Sequence, residues 1–472
     1  MRKRKFLKKI NLELVALGFI LLFGFFIRVY RLGVPSLWID EATSSVASQI
    51  ILDKGLPIFD SGLLYSRAYL FHYVQAFFLM FGTNDFLARF PSVIFGLLTI
   101  LLAYFIGREY SKSGGILSAL FMSVFYLEVF FSRQARFYQL FQLMFFLSIY
   151  LLYKSRENKK LLYASLVCLF VTINTQIAGI ILCPFFFVHI LLYNRPKWLS
   201  IVPIIPLVNN FFGLFGLSSE SKEATINYAS QYFSFTTSMG YLLILFFPGV
   251  IWGFFKKKRL TLFIVVPSLV LLFSVFGLKN FALRYVYFFA FPLVLYTSLL
   301  LSFLYEKYGK IMILCILIVL IFPSNLVFPY TYVNVINPID YNFNDYSAPT
   351  TDYKNIPVEL VDELRSEDNT LICFFSSDLE WYIRKPDYVL PFSMTGRGSD
   401  TISLNSSKGL VDVYSGSLIL GALSRPEDTY YLVADSFSVS KLKPFQVENM
   451  EYLIEGCEAV YSARDLKIWK CV

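Results

Sequence analysis

The chain is patterned as a series of long apolar runs separated by short basic breaks, and the pattern changes in its last third. Apolar runs fall at 11–28, 89–107, 114–131, 136–153, 161–177, 178–193, 198–217, 238–255, 260–277, 284–304 and 310–328. At 1.5 Å per residue each is close to the length needed to cross a hydrocarbon core about 30 Å thick. A further run, "AYLFHYVQAFFLMFG" at 68–82, is shorter and contains His72 and Gln75. It suits a helix lying in the interface better than a span. On that helix His72 reads as a polar anchor or a core residue, while His189 lies within a span and reads as structural.

From Tyr330 the alternation becomes that of a soluble segment. "YTYVNVINPIDYNFNDYSAPTTDY" reads as a linker. After it "NTLICFF", "DYVLPF" and "DTYYLVAD" read as strands, "SSDLEWYIRK", "DVYSGSLILGAL" and "VENMEYLIEG" as helices, and "AVYS" with "LKIWKC" as a closing hairpin. Alternating elements of this kind predict a small α/β domain. "GRGSD" at 396–400 has no helix pattern after it and reads as a loop, and Asn405-Ser406-Ser407 is formally a glycosylation sequon. No chemistry is assigned to this tail from its sequence.

Charge sets the orientation. If 68–82 does not span and the N-terminus is cytoplasmic, the loops "GREYSK", "YKSRENKK", "YNRPK", "FKKKR" and "YEKYGK" all fall on the cytoplasmic side with the basic start "MRKRKFLKKI". If 68–82 spanned, all five would move outside. The expected architecture is therefore a polytopic α-helical membrane protein of eleven spans over residues 1–329, with an external loop at 29–88 containing juxtamembrane helices. Residues 330–472 are expected to form an extracytoplasmic α/β domain. The first run is long, lacks a small-residue cleavage site and is followed by acidic residues, so it reads as an uncleaved helix of a multi-pass plasma-membrane protein.

Composition agrees. The 472 residues are 56% hydrophobic and only 16% charged, too apolar for a soluble protein. The net charge of +9 is uneven: from Tyr330 onward there are 21 acidic and 12 basic residues, before it 12 acidic and 30 basic. Juxtamembrane lysines and arginines account for the basic part, so no nucleic-acid partner is implied. The six cysteines show no metal spacing; Cys168, Cys183 and Cys315 read as packing residues, and Cys457 and Cys471 are able to pair if the tail faces an oxidising compartment.

Two groups of residues stand out chemically. "LWIDEATSSVASQI" places Asp40 and Glu41 about ten residues after the first apolar run. Acidic residues in a first helical turn also complement the helix dipole, so a structural reading stands beside a catalytic one. The external face further carries Arg28, Arg31, Arg67, Arg89, Arg133, Arg136 and Arg284, mostly near helix ends. Arginines kept on that side call for a protein carboxylate or a ligand phosphate, the alternative being anchorage at headgroups. A salt bridge to Asp85 is the structural alternative for Arg89, and an ion pair with Glu128 for Arg133 and Arg136.

"LWIDEA" after the first span, "FG" and then "RFPS" at the entry to the second, "SRQARFY" between the third and fourth, and "RYVYFFAFP" late in the chain together resemble the membrane glycosyltransferases of the GT-C class. The similarity is to the protein O-mannosyltransferase and lipid A aminoarabinose transferase group; it is good over roughly residues 20–150, and only the layout matches over 150–330. The resemblance implies a polyprenyl-phosphate-linked sugar donor, an acceptor that is a lipid, glycan or protein, and surrounding membrane lipids. By the same resemblance Asp40 is the general base and Glu41 its orienting or acceptor-binding neighbour. Arg67, Arg89, Arg133, Arg136, Tyr138, Arg284 and Tyr285 are expected to bind the carrier phosphate or support its loop. Arg67 lies in "SRAYL", without the Pro-Pro or Pro-Leu pair of some relatives. No metal ligand set and no cofactor is expected, although some members of the wider class use a divalent ion. An oligosaccharyltransferase or ligase of the same architecture is the second enzyme reading. A lipid-linked-sugar transporter or flippase is a third, disfavoured because no internal repeat is found and charges within the spans are scarce.

Overall fold

The computed structural model describes residues 12–59, 64–193, 196–208, 240–275, 283–324, 351, 353–374, 376–389, 411–412, 428–440, 442, 444–463 and 465–472. The basic N-terminus, residues 209–217 of one expected span, the linker up to 350, "GRGSD", the Asn405 sequon and most of the "DVYSGSLILGAL" helix lie outside these. The helices in chain order begin α1 (Leu12–Val29), α2 (Ile39–Lys54), α3 (Tyr69–Leu79), α4 (Asp85–Arg108), α5 (Lys112–Val124), α6 (Tyr126–Phe131), α7 (Tyr138–Lys154), α8 (Lys160–Thr175) and α9 (Leu182–Tyr193). They continue with α10 (Gly240–Val275), α11 (Leu283–Val286), α12 (Ala290–Tyr308) and α13 (Met312–Ser324). Contacts divide the chain into two units, Met1–Tyr30 with Ser92–Asn337, and Arg31–Pro91 with Pro338–Val472.

The first unit is helical and apolar. Leu12–Val29, Asp85–Arg108 and the run Arg284–Leu320 are long and apolar enough to cross a membrane, and shorter apolar helices cover Lys112–Val124, Lys160–Thr175, Ile177–Tyr193 and Lys197–Val208. Several of the eleven apolar runs are interrupted. The run 114–131 breaks at Phe125, whose extended backbone (φ −61°, ψ 125°) separates α5 from α6. The run 178–193 starts as a 3₁₀ turn over Ile177–Ile181. Within α10 the backbone leaves helical geometry at Lys257 (φ −142°, ψ 62°), inside the "FKKKR" segment expected to separate two spans.

Helices α10 and α12 meet at a pair of glycines one turn apart. A Cβ on Gly249 would lie 2.1 Å from the carbonyl oxygen of Tyr296, and one on Gly253 2.9 Å from its ring. Small residues spaced in this way let two apolar helices approach through their backbones, where packing rather than water expulsion drives association.

In the second unit α3 has 11 residues and a length of about 16 Å, roughly half a hydrocarbon core. One side, with Phe71, His72, Gln75 and Ala76, is buried, whereas Leu70, Tyr73 and Phe77 are exposed. The tail of this unit adds α14 (Val358–Arg365), α15 (Ser376–Tyr382), α16 (Ser436–Ser440) and α17 (Pro444–Ile454). Its strands are β1 (Thr370–Cys373), β2 (Tyr388–Val389), β3 (Val411–Asp412), β4 (Tyr430–Asp435), β5 (Glu458–Ala463) and β6 (Leu466–Cys471). They form one mixed sheet in the order β3-β2-β1-β4-β6-β5, with β1 parallel to β2 and β4. Strand alternation covers both faces: Leu371, Cys373, Tyr431 and Val433 enter one core, and Ile372, Phe374, Tyr430 and Leu432 the other. The closing hairpin β5–β6 is present, and Cys457 is disulfide-bonded to Cys471. Helix α14 falls on "VELVDELR", a stretch given no element from the sequence.

Replacing Gly249 with Ala is expected to push α10 off α12 at a cost of about 1–3 kcal/mol. Thermal unfolding of the detergent-solubilised protein checks this, and an unchanged melting temperature would contradict the close contact.

Candidate functional site

In the second unit the acidic pair opens α2. Trp38, in extended geometry, precedes the helix, and Glu41 accepts a hydrogen bond from the Trp38 backbone N–H at 3.3 Å. Glu41 is 1% exposed, and so is Arg89. The guanidinium grips both carboxylate oxygens, Nε to Oε1 at 2.9 Å and Nη2 to Oε2 at 2.7 Å. Its remaining donors go to backbone carbonyls, Nη1 to Leu32 (3.0 Å) and Pro35 (2.7 Å) and Nη2 to Ser36 (2.9 Å). A planar guanidinium has five N–H donors in a fixed fork, and all five are thereby engaged within the protein. Asp40 is half-buried in the same first turn.

The salt bridge to Asp85 that was the structural alternative for Arg89 is replaced by another. Asp85 accepts from Trp381 Nε1 and from the Tyr382 hydroxyl, each at 2.8 Å, and pairs with Lys354. The Lys354 ammonium also donates to the carbonyls of Gly33 and Val34, and the Leu37 N–H donates to the Tyr382 hydroxyl. Burial, reinforced by the charge of Asp85, raises the Tyr382 phenol well above its ordinary range, so it remains a proton donor.

Helix α15 also brings an acidic side chain that the sequence did not single out. Ser377 accepts from the Thr43 hydroxyl of α2 at 3.1 Å. The next residue, Asp378, is 3% exposed, and its Oδ1 has no hydrogen-bond partner among the described residues. Burial first, then the charges of Asp435, Asp40 and Glu41, raise its carboxyl well above the usual range. Asp435 caps α16 through the Ser438 N–H at 2.8 Å.

The other expected residues of this unit serve differently. Arg67 is exposed and precedes Ala68, whose φ of 50° costs an alanine about 1 kcal/mol. His72 is fully buried, 3.4 Å from the Ser48 hydroxyl and edge-on to Tyr65, so the membrane-anchor alternative falls away. Ser48 donates to Gln75, which in turn donates to the carbonyl of Ala88.

In the first unit the arginines act on broken helix ends. Arg28 is fully buried and donates to the carbonyls of Ser123 (2.8 Å) and Met122 (3.2 Å), which the break at Phe125 leaves without helical partners. Arg133, also fully buried, donates through Nη1 to the carbonyls of Ile27 (2.9 Å) and Tyr30 (2.7 Å), ending α1. Its Nε and Nη2 have no hydrogen-bond partner among the described residues. Arg136 lies over the rings of Phe137 and Tyr138, 4.7 and 5.6 Å from their centroids. Arg284, half-buried, lies 5.3 Å over Tyr285. Glu128 accepts from Gln142 at 2.7 Å and from the Tyr287 hydroxyl at 3.2 Å.

Residues 66–218 match the profile of the family described as dolichyl-phosphate-mannose-protein mannosyltransferase. No curated protein sequence matches the chain. Among solved structures, ArnT from Cupriavidus metallidurans in the apo state aligns with a TM-score of 0.63 at 10% identity, over 97% of this chain and 98% of that one. The same protein bound to undecaprenyl phosphate gives 0.59 at 10% identity, over 97% and 98%. The oligosaccharyltransferase of Archaeoglobus fulgidus, in a complex with Zn and sulfate, gives 0.52 at 12% identity over 79% of this chain; the match spans only 62% of that chain. The fold is that of the GT-C glycosyltransferases.

Within this GT-C fold the structure brings Asp40, Glu41 and Arg89 together, and separately lays Arg136 over Tyr138, while Arg133 turns to the end of α1. Sequence reasoning missed Lys354, Asp378, Trp381 and Tyr382. The adjacent Trp-Tyr pair in a short tail helix was the one visible sign of them. Among the described residues no group of three or more His, Cys, Asp or Glu side chains is placed to hold a metal ion, and Glu41 spends both oxygens on Arg89.

Glu41→Gln leaves Arg89 buried without a counter-charge and is expected to cost about 3–5 kcal/mol of stability, part of which a double replacement Glu41→Gln with Arg89→Met restores. Unfolding measurements on the three variants test this. For Asp378 the sign follows from its raised pKa: the folded state holds the proton after the unfolded chain has lost it, so stability falls as pH rises above about 4. Asp378→Asn should therefore melt increasingly above wild type as pH is raised toward 8; parallel melting curves across the series would refute the buried neutral acid.

Proposed function

We propose that the chain is an integral-membrane glycosyltransferase that moves a sugar from a polyprenyl-phosphate carrier to an acceptor hydroxyl on the outer face of the plasma membrane. The eleven-span topology, with the N-terminus cytoplasmic and residues 330–472 outside, belongs to this reading. The observation that carries it is the commitment of Glu41 to Arg89, which turns the acidic pair into one structural carboxylate and one half-buried carboxylate, Asp40. The GT-C fold, the family profile over residues 66–218 and the undecaprenyl phosphate bound by a structural relative support the donor class.

In the reaction Asp40 takes the proton of the acceptor hydroxyl as its oxygen bonds to the anomeric carbon. The bond from that carbon to the phosphate oxygen breaks, and the electron pair leaves with the polyprenyl phosphate, giving inversion. The carrier phosphate is assigned to Arg133, Arg136, Tyr138, Arg284 and Tyr285, with Arg67 as a further cation. Arg133 is the best supported, because Nη1 ends α1 while Nε and Nη2 have no hydrogen-bond partner among the described residues. Fixed cationic donors aimed at a phosphate stabilise its growing charge in the transition state. Arg89 is assigned to Glu41 and not to the carrier. The second reading, a ligase transferring a whole glycan, draws on the oligosaccharyltransferase likeness and differs in needing a divalent ion.

The test uses purified full-length protein and a panel of polyprenyl-phosphate sugars that begins with mannose. Asp40→Asn is expected to lower carrier-phosphate release about 10²-fold or more. Equal release by a well-folded variant removes Asp40 as base. Turnover that survives a chelator supports the proposed transferase; turnover lost to chelation and restored by Mn²⁺ or Mg²⁺ supports the ligase.

A further inference from the structure

The segment 32–38, which leads into the acidic pair, has an unusually complete set of backbone partners. Arg89 takes the carbonyls of Leu32, Pro35 and Ser36. Lys354 takes those of Gly33 at 2.6 Å and Val34 at 3.3 Å, and reaches the Pro35 carbonyl at 3.4 Å. The Leu37 N–H goes to the Tyr382 hydroxyl, the Trp38 N–H to Glu41, and the Trp38 carbonyl receives the N–H of Ala42. A loop whose five carbonyls from Leu32 to Ser36 are each held by a side-chain cation, and whose Leu37 and Trp38 N–H groups are held by side chains, has few alternative conformations. Half of this work is done from the tail.

The tail side chains also hold one another in place. Asp85, the first residue of α4 and one turn before Arg89, gathers Lys354, Trp381 Nε1 and the Tyr382 hydroxyl. Tyr353 stacks on Tyr382 at 5.5 Å and 11°, fixing the phenol. Among the described residues every polar partner of the Lys354 ammonium lies in residues 33–35 or at Asp85, none in the tail's own sheet. Lys354 belongs to neither of the sheet's cores, which are built around Leu371, Val433 and Ile468 on one face and Ile372, Leu432 and Leu453 on the other, whereas Tyr353 is part of the first and Tyr382 packs against it.

We propose that Lys354, Trp381 and Tyr382 are positioning residues for Asp40: they lock the segment 32–38 and so fix the carboxylate at the start of α2. The tail is then part of the catalytic apparatus, although it supplies no group to the reacting atoms. This rests on the reading of Asp40 as the base. A general base must be held within hydrogen-bond reach of its proton, and a misplacement of about 1 Å costs about 10²-fold in rate.

The experiment compares full-length wild type with Lys354→Met, Lys354→Arg, Tyr382→Phe and Asp40→Asn. It measures kcat and KM on the polyprenyl-phosphate sugar that the panel selects, and backbone amide exchange over residues 32–42. Lys354→Met and Tyr382→Phe are expected to lower kcat about tenfold or more with the donor KM within about twofold, and to speed exchange at Leu37 and Trp38. Lys354→Arg, which keeps the charge and the carbonyl contacts, is expected to recover most of kcat. Wild-type kcat in Lys354→Met overturns the proposal. So does a loss of kcat accompanied by faster exchange throughout β4 and β6, which marks a tail that has lost its fold. The exchange measurement decides even where no donor in the panel turns over, since unchanged protection at Leu37 and Trp38 also overturns it. Failure of the base assignment shows separately, as wild-type kcat in Asp40→Asn.

Discussion

The buried pair of Arg89 and Glu41 is the interaction on which the rest of the second unit depends. Burying two charges costs several kcal/mol each, and their mutual attraction offsets this only when the geometry is good and the remaining donors are satisfied. Here both conditions are met: a two-pronged contact at 2.7 and 2.9 Å, with the other three N–H groups on carbonyls of Leu32, Pro35 and Ser36. The pair therefore does more than join α2 to α4. It draws the connecting segment around one guanidinium and starts α2 at Trp38. It also separates the roles of two adjacent carboxylates that look equivalent in the sequence.

The first unit uses the same device where a helix must stop in apolar surroundings. A helix end leaves carbonyls without partners, and in a low-dielectric setting each is expensive. Arg28, at the end of α1, supplies the carbonyls freed at the end of α5, and Arg133 supplies those at the end of α1. The two arginines thus make possible a break at Phe125 and a short helix α6 on which Glu128 meets Gln142 and Tyr287. A positive group at a helix C-terminus is favoured by the dipole as well.

The hydrophobic patterns made the helical character, the short helix α3 and the sheet strands of the tail legible, because each is a local pattern of period 3.6 or 2. The motifs singled out Asp40, Glu41 and Arg89, but the pairing of Arg89 with Glu41 was not legible in them. Asp85 is the near acid in sequence, whereas Glu41 is 48 residues away, and only the fold brings it into reach. Helix interruptions at Phe125 and at 177–181 escaped notice because apolar composition continues straight through them. His72 was legible as unusual for its surroundings, but which face of α3 it occupied required the packing of α2. The tail was read as chemically silent for a related reason: Lys354, Asp378 and Tyr382 form no motif, and their meaning lies in what they touch.

That silence bears on how a loop can carry a base at all. Connecting segments are ordinarily the mobile parts of a fold, while a catalytic carboxylate needs a position fixed to a fraction of an ångström. Two remedies are available, a rigid helix beneath the residue or saturation of the loop's own polar groups. For the proposed base this chain has both, with Asp40 in the first turn of α2 and the carbonyls of 32–36 engaged by Arg89 and Lys354. Because Lys354 comes from a segment more than 300 positions later, the order of the loop depends on a correctly folded tail. The tail's sheet, with apolar residues buried on both faces, supplies the rigidity that a segment rich in Gly, Pro and Ser between α1 and α2 cannot supply for itself.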